Sequence, residues 1–242
     1  MKIAICTPHY RQVHAEFMNS LMAMIAHTSH SAIVFNDEPV APEIRVFTNS
    51  GSVLAYLRNR LTRDAIAWGA NYLLWLDSDH TFPPDALVRL LSHNLPVIGA
   101  NYARRCTPTH PTAATISGEG IWTTQELAEA GRVEQVGRLG LGVCLIDITV
   151  FGQLHRHAKA VGKETIWPLF CQQEVPNSIE VVGEDTFFFN LLHEAGIATY
   201  VDHGLSWEVG HLYEIVLMNS DAVAQRDAYL NSVRQDDGGR GD

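Results

Sequence analysis

Two aspartates that lie two positions apart carry the strongest chemical signal in the sequence. The apolar run Tyr72–Leu76 predicts a buried strand, and Asp77 and Asp79 follow it directly. Because side chains at i and i+2 of an extended segment point the same way, both carboxylates can approach one ion. Hard divalent cations prefer oxygen ligands and retain phosphate oxygens as further ligands. The pair therefore predicts a metal-phosphate site in a loop at the end of a strand.

Helix capping is the alternative interpretation, since an aspartate before a helix is commonly only a cap. The next helix is predicted to begin near Pro83 or Pro84, because proline is tolerated in the first turn. Asp77 and Asp79 then lie several residues upstream of any cap position. The sequence therefore favours the metal interpretation.

Composition and charge limit the class of protein. The chain has 242 residues, of which 46% are hydrophobic and 18% charged, as is typical of a soluble globular protein. This length allows one large α/β domain or at most two small ones, and we interpret the chain as one domain. No apolar run approaches the roughly 18 residues needed to span a bilayer. A net charge of −10 argues against broad nonspecific binding to nucleic acid. An acidic protein can still have a local basic groove. The candidate residues for such a groove are Arg58, Arg60, Arg63, Arg104 and Arg105.

The cysteines and the N-terminus predict a cytoplasmic protein. The four cysteines show no CxxC spacing, and Cys6 and Cys144 lie inside apolar strand-like runs, where reduced thiols are usual. The N-terminal apolar run is too short for a signal-peptide core and ends at Pro8.

Strand and helix patterns alternate along the first hundred residues. Such alternation predicts an α/β fold with a Rossmann-like, mostly parallel central sheet flanked by helices, which binds ligands beyond the carboxyl ends of its strands. Thr7, Asp77 and Tyr102 all fall at such ends. The predicted strands cover residues 2–6, 32–35, 44–48, 72–76 and 96–100, and the predicted helices begin near 13, 54 and 84.

The pattern changes after a polar, proline-broken loop over 101–111. Strands without long intervening helices then predict a small antiparallel extension, before helices return. The predicted later strands cover 111–117, 121–124, 132–136, 142–148, 197–201 and 205–211. The predicted later helices cover 150–161, 183–196 and 213–233, followed by a disordered tail over 235–242.

An ordered set of segments carries a family resemblance. The segments are Thr7-Pro8, Arg58-Asn59-Arg60, Leu74-Trp-Leu-Asp-Ser-Asp79, Val97-Ile-Gly-Ala-Asn-Tyr102, Gly140-Leu-Gly-Val-Cys-Leu-Ile146, Gly183-Glu-Asp185 and His211. Taken in order, they resemble the nucleotide-sugar glycosyltransferases of the GT-A fold, particularly the small bacterial and phage members related to glycosyltransferase family two. The resemblance covers most of the chain.

The resemblance implies a divalent cation, Mn2+ or Mg2+, on the diphosphate of the donor. By position it gives Asp77 to the ribose or the metal, Asp79 to the metal, and a late histidine, His211, to the same ion. His203 competes with His211 for that role, and a structural histidine is as good an interpretation of either one taken singly.

The resemblance also implies donor contacts from residues at the same edge. The donor is expected to be a UDP- or GDP-sugar. The residues implied in nucleotide binding are Thr7, Pro8, Arg11, Arg58, Asn59, Asp77, Ser78 and Tyr102. An arginine on a helix is as often part of a solvated face, and this alternative stays open for Arg58 and Arg11.

An acidic pair at a helix start supplies the implied catalytic residues. Asp185 is expected to act as general base toward an acceptor hydroxyl, with inversion, and Glu184 to help hold the acceptor. The alternative is that both carboxylates only oppose the helix dipole.

One departure from the family pattern concerns the acceptor. Relatives usually show Gly-Thr-Gly where this chain has Gly140-Leu141-Gly142, so a threonine contact to the acceptor is missing. Trp122 and Trp207 could stack on a sugar or a base, although buried packing is the commoner fate of tryptophan. The sequence allows four classes of acceptor: a saccharide, a lipid, a protein and a hydroxymethylated base in DNA.

The sequence thus predicts a metal-dependent glycosyltransferase. Residues 1–234 are expected to form a single GT-A domain, with 1–105 binding the nucleotide sugar and 106–234 the acceptor. A nucleotidyltransferase is one alternative, but the segment Thr7–Arg11 lacks the glycine of a phosphate loop. A noncatalytic nucleotide- or carbohydrate-binding module is the other.

Overall fold

A computed structural model describes residues 1–106, 108–175, 179 and 181–213. The strands are β1 (Lys2–His9), β2 (Ile33–Phe35), β3 (Glu38–Val40), β4 (Glu43–Ser50), β5 (Tyr72–Leu76), β6 (His80–Thr81), β7 (Val97–Gly99), β8 (Val133–Val136), β9 (Val143–Asp147), β10 (Gln173–Glu174), β11 (Val181–Val182), β12 (Thr199–Asp202) and β13 (Gly210–His211). The helices are α1 (Ala15–His30), α2 (Leu54–Trp68), α3 (Ala86–Ser92), α4 (Gln125–Glu129), α5 (Thr149–Ala160), α6 (Glu184–Glu194) and α7 (His203–Glu208).

A seven-stranded sheet forms the centre of the fold, in the order β4-β1-β5-β9-β7-β12-β8. Strands β4, β1 and β5 pair in parallel, as do β7 and β12. Strand β9 lies antiparallel between β5 and β7, and β8 is antiparallel to β12. Five strands therefore point the same way and bring their carboxyl ends to one edge. The predicted α/β fold with a mostly parallel sheet and small antiparallel additions is confirmed.

The two faces of the sheet bury two apolar layers, because alternate side chains of a strand point to opposite faces. Ile3 and Ile5 of β1 pack with α1 and α3, through residues such as Phe17 and Leu87. Ala4, which lies between them, and Cys6, which follows, pack on the other face, in the cluster that includes side chains of α2, α5 and α6.

Helix α2 shows how the sequence forms these elements. Its buried residues Leu57, Leu61 and Ala65 recur every four positions and so form one apolar stripe. Gly69 ends the helix in the left-handed conformation, at φ 78°, and its amide donates to the carbonyls of Ala65 and Ile66. The helix ends where the predicted glycine stop lies, and β5 with its two following aspartates begins soon after.

Some predicted strands are wrong. The predicted strand over 205–211 is mainly helix α7, because Asp202 caps it by accepting a hydrogen bond from the amide of Leu205 at 2.9 Å. Only Gly210–His211 of that segment is strand. The predicted strand over 111–117 forms only isolated bridges, such as Ala114 to Gly120. The predicted strand over 121–124 is wrong, because these described residues form neither a strand nor a bridge. The short helix α4 was not predicted.

Residues Met1–Leu212 form one compact unit. The predicted helix over 213–233, apart from Tyr213, and the predicted tail over 235–242 lie outside the described residues. The predicted domain end at 234 and the division at 105 therefore stay predictions. Among the described residues, no helix has the length and apolar character needed to cross a membrane.

Candidate metal and donor site

Residues distant in the sequence meet at the carboxyl edge of the sheet. Asp77 follows β5, and Tyr102 lies shortly after β7. Strand β13 pairs antiparallel with β6 and places His211 directly opposite His80. The amide of Leu212 donates to the carbonyl of Asp79 at 2.8 Å, which fixes this pairing beside the aspartate loop.

Asp79, His80 and His211 form a cluster of metal-ligand type, which we call the Asp-His cluster. One side-chain ligand atom from each lies within 4.8 Å of the others. Nδ1 of His80 is 3.0 Å from Oδ1 of Asp79, and Nε2 of His211 is 3.7 Å from Oδ2. The two imidazoles stack, with ring centroids 4.3 Å apart. Nδ1 of His211 lies 2.8 Å from the carbonyl oxygen of Ala103, which orients its ring.

The Asp79 carboxylate is held in its ionised form. Burial acts to raise the pKa of Asp79, but its contacts with the imidazoles of His211 and His80 and the charge of Arg105 outweigh burial. That pKa is therefore held well below its usual range. Nη1 of Arg105 lies 2.8 Å from Oδ2 of Asp79, so a partly exposed cation contacts the same carboxylate.

The donor set of the Asp-His cluster fits a divalent cation. A carboxylate oxygen is a ligand that suits Mn2+, and imidazole nitrogens are common ligands of divalent transition-metal ions. Nε2 of His80 is buried and has no hydrogen-bond partner among the described residues. A buried ring nitrogen without a partner carries a desolvation cost that a bound ligand would offset.

The cluster contains two of the three residues predicted to bind the metal. Asp79 and His211 come together in it, whereas the third, Asp77, and the competing His203 do not belong to it. His203 is fully buried, with its ring nitrogens 2.9 Å from Oγ1 of Thr123 and 3.0 Å from Oε2 of Glu134, and is thus a structural histidine. His80 was missed by the sequence analysis, although its position beside Asp79 was a usable signal.

Asp77 lies in a partly buried ion pair with Arg58 and does not belong to the Asp-His cluster. Nη2 of Arg58 lies 3.0 and 3.1 Å from the two carboxylate oxygens of Asp77, and Nε of Arg58 lies 3.4 Å from Oε1 of Glu184. Burial acts to lower the pKa of Arg58, but the charges of Asp77 and Glu184 outweigh it and raise that pKa. The two aspartates therefore face different partners, and the predicted metal role of Asp77 gains no support from its contacts.

The side chains of Arg58 and Asn59 both contact other residues of the protein. Arg58 is 2% exposed and packs on the ring of Trp75, so it is not part of a solvated face. The Asn59 side chain donates to the carbonyls of Ala55 and Phe170 and accepts from the amide of Leu169 at 2.9 Å. Asn59 thus anchors the 169–170 segment.

The other predicted donor residues surround the same edge. The hydroxyl of Thr7 is buried and has no hydrogen-bond partner among the described residues, and Pro8 is buried beside it. Arg11 is exposed, has a positive φ of 61°, and lies over the Tyr10 ring. Ser78 is partly buried and its carbonyl accepts from the amide of His14.

Tyr102 connects the Asp-His cluster to the acidic residues. Its ring centroid is 4.3 Å from that of His80 and 5.3 Å from that of His211. Burial raises the pKa of Tyr102 well above its usual range, and the charges of Asp77 and Asp185 add to this effect. Its phenol therefore stays neutral, between the cluster and the acidic residues.

The glycines of Gly140-Leu141-Gly142 make room for this packing. A Cβ on Gly142 would lie 2.5 Å from Cε1 of His80 and 2.8 Å from Cζ of Tyr102. The amide of Gly142 donates to the Tyr102 hydroxyl at 3.0 Å. Leu141 between the glycines is buried in the core, so this segment connects the packing around His80 and Tyr102 to the core.

The acidic pair lies at the N-terminus of α6. Glu184 is paired with Arg58, as described above, whereas Oδ1 of Asp185 accepts from the amide of Thr186 at 2.6 Å. Both side chains are partly exposed to solvent. Asp185 has no salt-bridge partner among the described residues.

Comparison with known proteins identifies the fold. No family model matches the sequence, and the search of curated proteins found no match either. Among solved structures, the crystal structure of GalNAc-T7 with UDP, GalNAc and Mn2+ is similar at 12% identity and a TM-score of 0.51. The similarity covers 88% of this chain but only 43% of that one. A197 from STIV is also similar, at 13% identity, 90% and 97% coverage and a TM-score of 0.48.

The GalNAc-T7 comparison confirms the predicted GT-A fold. At this level of identity the likeness shows the fold alone, because one fold supports many activities. The chain spans less than half the length of that relative.

Proposed function

We propose that this protein is a metal-dependent glycosyltransferase, which moves a sugar from a nucleotide-sugar donor to an acceptor hydroxyl. The observation that carries the proposal is the Asp-His cluster at the carboxyl edge of a GT-A sheet. Ligands of open α/β sheets bind at that edge. The GalNAc-T7 structure, which shares the fold, was solved with UDP and Mn2+.

Asp79, His80 and His211 would hold the divalent cation. When bound, Mn2+ or Mg2+ supplies positive charge that stabilises the diphosphate as the bond to the sugar breaks. His80 takes the place that the sequence analysis gave to Asp77. Asp77 is instead proposed to keep Arg58 in place, since Nη2 of Arg58 donates to both carboxylate oxygens of Asp77.

The donor nucleotide is proposed to bind over the ends of β1 and β5. The buried Thr7 hydroxyl and Nη1 of Arg58 are without hydrogen-bond partners in the described part of the chain, and both groups can donate to an acceptor oxygen. Pro8, Arg11, Ser78 and Tyr102 border this region, and Asn59 supports it from α2. A UDP- or GDP-sugar is the donor class that this region is proposed to bind.

Asp185 is the proposed general base. Because Glu184 is paired with Arg58, Asp185 is the member of the acidic pair that is free of a cation among the described residues. Asp185 would take the proton of the acceptor hydroxyl as its oxygen attacks the anomeric carbon and the nucleoside diphosphate departs. Attack from the side opposite the leaving group inverts the anomeric carbon.

The experiment that tests this function measures release of nucleoside diphosphate from UDP- and GDP-sugars in the presence of Mn2+. The wild-type chain is expected to release it, and the variants Asp79→Asn and Asp185→Asn are expected to lose this activity. Thermal-shift measurements with Mn2+ and UDP separate the two roles. Asp79→Asn should lose the stabilisation by these ligands, whereas Asp185→Asn should keep it.

Asp64→Asn is the matched control, because Asp64 is an exposed carboxylate elsewhere on helix α2. It should behave like the wild type in both assays. Release of diphosphate by Asp79→Asn at the wild-type rate would exclude the proposed function. Stabilisation by UDP and Mn2+ without any release of diphosphate would support the noncatalytic binding module instead.

A further inference from the structure

A pocket of about 200 Å³ lies next to the Asp-His cluster, and we call it the tryptophan pocket. Trp122 and Trp207 line it from two different segments, together with Asn101, Tyr102 and His110. The two tryptophans are 61% and 55% exposed. A single exposed aromatic ring is ordinary, but two indoles on one pocket with polar groups between them are typical of a ligand site.

Buried hydrogen bonds hold the walls of the tryptophan pocket in place. The Asn101 side chain donates to the carbonyl of Ile121 at 2.7 Å and accepts from the amide of Ala113 at 3.0 Å. The backbone amide of Asn101 donates to Oγ of Ser206 at 2.8 Å. Ser206 lies in α7, next to Trp207. Thr123, the neighbour of Trp122, contacts the buried ring of His203. These hydrogen bonds hold the backbone that bears the two indoles, so less conformational entropy is lost when a ligand binds.

The lining of the tryptophan pocket contains one histidine, His110, and otherwise apolar and uncharged polar residues. Its lining residues in the described chain include no lysine, arginine, aspartate or glutamate. Of the nearby loop arginines, Arg105 is paired with Asp79. DNA binding relies on basic groups that neutralise phosphates, whereas a sugar offers hydroxyl groups for hydrogen bonds and C–H faces for aromatic rings. A neutral saccharide fits this lining better than DNA.

The position of the pocket connects it to the chemistry. Tyr102 lines the pocket and also contacts both imidazoles of the Asp-His cluster. Ala103 lines it too, and its carbonyl oxygen contacts His211. A ligand in the pocket would therefore lie beside the cluster.

We propose that the tryptophan pocket binds a neutral saccharide by stacking on Trp122 and Trp207, and that this saccharide is the acceptor. The second half of the proposal rests on the proposed glycosyltransferase function. The first half does not, because binding in the pocket needs neither donor nor cation. Asn101 acts as a positioning residue that holds both walls.

The test uses the full chain, without nucleotide or metal, on an array of neutral glycans. Wild-type protein is expected to bind a subset of the array, and saturation-transfer NMR then measures the affinity for the strongest glycan. Trp122→Ala and Trp207→Ala should each weaken binding by about tenfold or more, as loss of a stacking anchor does. Trp207→Phe should restore part of it, because phenylalanine keeps an aromatic face.

Tyr56→Ala is the matched control, since Tyr56 is an aromatic residue on α2 that is 60% exposed and does not line the pocket. It should bind glycans like the wild type. No binding to any glycan, or binding that both tryptophan variants retain, overturns the proposal. Tryptophan-dependent binding of a hydroxymethylated DNA duplex in place of glycans overturns it as well.

This test and the test of the proposed function can fail separately. Tryptophan-dependent glycan binding without diphosphate release would keep the saccharide site and reject transfer. Diphosphate release without glycan binding would keep the transferase and reject this acceptor site.

Discussion

At the scale of single residues, Arg105 is the side chain that most directly opposes metal binding. Its guanidinium lies 2.8 Å from the Asp79 oxygen Oδ2, which is also the oxygen nearer to His211. A divalent cation held by Asp79 must share this carboxylate with Arg105 or displace it. Because Arg105 is 46% exposed, solvent weakens its ion pair with Asp79. Replacing this contact by a divalent cation therefore costs little free energy.

Arg105→Gln is therefore expected to tighten Mn2+ binding about two- to fivefold, the range that corresponds to the loss of a partly exposed ion pair. Isothermal titration calorimetry with Mn2+ measures the change. Arg104→Gln, the adjacent exposed arginine, is the control and should bind like the wild type. Weaker binding by Arg105→Gln would show instead that the arginine supports the site.

The sequence predicted part of the candidate site at this scale. Asp79 and His211 were selected from type and order, and the structure brings them together. His80 adjoins Asp79 in the sequence, but its approach to His211 depends on the pairing of β6 with β13, which the sequence analysis did not predict. The i, i+2 rule does not hold for Asp77 and Asp79, because both lie in the loop after β5 ends at Leu76. Beyond it, the buried charge of Arg58 needs a partner, and Asp77 supplies it.

At the scale of elements, the turn before β9 shows how backbone space shapes the site. Gly142 lies where His80 and Tyr102 pack against the sheet, whereas Gly152 lies on the exposed face of α5. A Cβ on Gly152 would meet only Nη1 of Arg156 at 3.6 Å, an ordinary contact. The two glycines therefore form a matched pair for substitution.

Gly142→Ala is expected to lower the free energy of unfolding by about 1–3 kcal/mol, because the added methyl overpacks against the His80 ring. It should also reduce stabilisation by Mn2+, since His80 must move. Gly152→Ala should raise the free energy of unfolding by about 0.4–1 kcal/mol, as alanine favours the helix. Urea denaturation with and without Mn2+ measures both effects. Equal effects of the two substitutions would contradict the proposed packing.

The elements differ in how well the sequence predicts them. Helix α2 follows from its four-residue apolar spacing and its glycine stop, because both signals are local. Helix α7 was mistaken for a strand, because Leu205-Ser-Trp-Glu-Val alternates apolar and polar residues. Its helical state depends on the cap at Asp202 and on burial of Leu205 in the core.

At the scale of the whole molecule, the alternation of strands and helices was enough to predict the fold class. Buried strands of a parallel sheet have continuous apolar sequences, and helices separate them. The insertion of β9 between β5 and β7 was not predictable, because strand order depends on pairings between distant segments. That insertion brings Gly142 to the Asp77 loop, since the amide of Asp77 donates to its carbonyl.

The fold also divides the cysteines between core and surface. Burial raises the pKa of the Cys6 thiol well above its usual range, with the charge of Asp64 adding to it. Burial likewise raises the pKa of Cys144, whereas Cys106 is exposed. A raised pKa keeps a thiol protonated and unreactive, so Cys6 and Cys144 should not react at about pH 8 in the folded protein.

Labelling with a thiol reagent, followed by peptide mass spectrometry, measures this protection. Cys106 is expected to be modified rapidly, and Cys6 and Cys144 only after denaturation. The variant Cys106→Ser should lose the fast phase of modification. Rapid labelling of Cys144 in the native protein would contradict its position in the central sheet.

The central claim is that Asp79, His80 and His211 hold a divalent cation that binds a nucleoside diphosphate. Electron paramagnetic resonance of Mn2+ tests it most directly, because the signal of the free aqueous ion falls as the ion binds. With UDP present, wild-type protein should take up close to a single Mn2+ ion per chain, and His211→Ala and Asp79→Asn should leave most of the signal free. Full uptake of Mn2+ by both variants would contradict the claim.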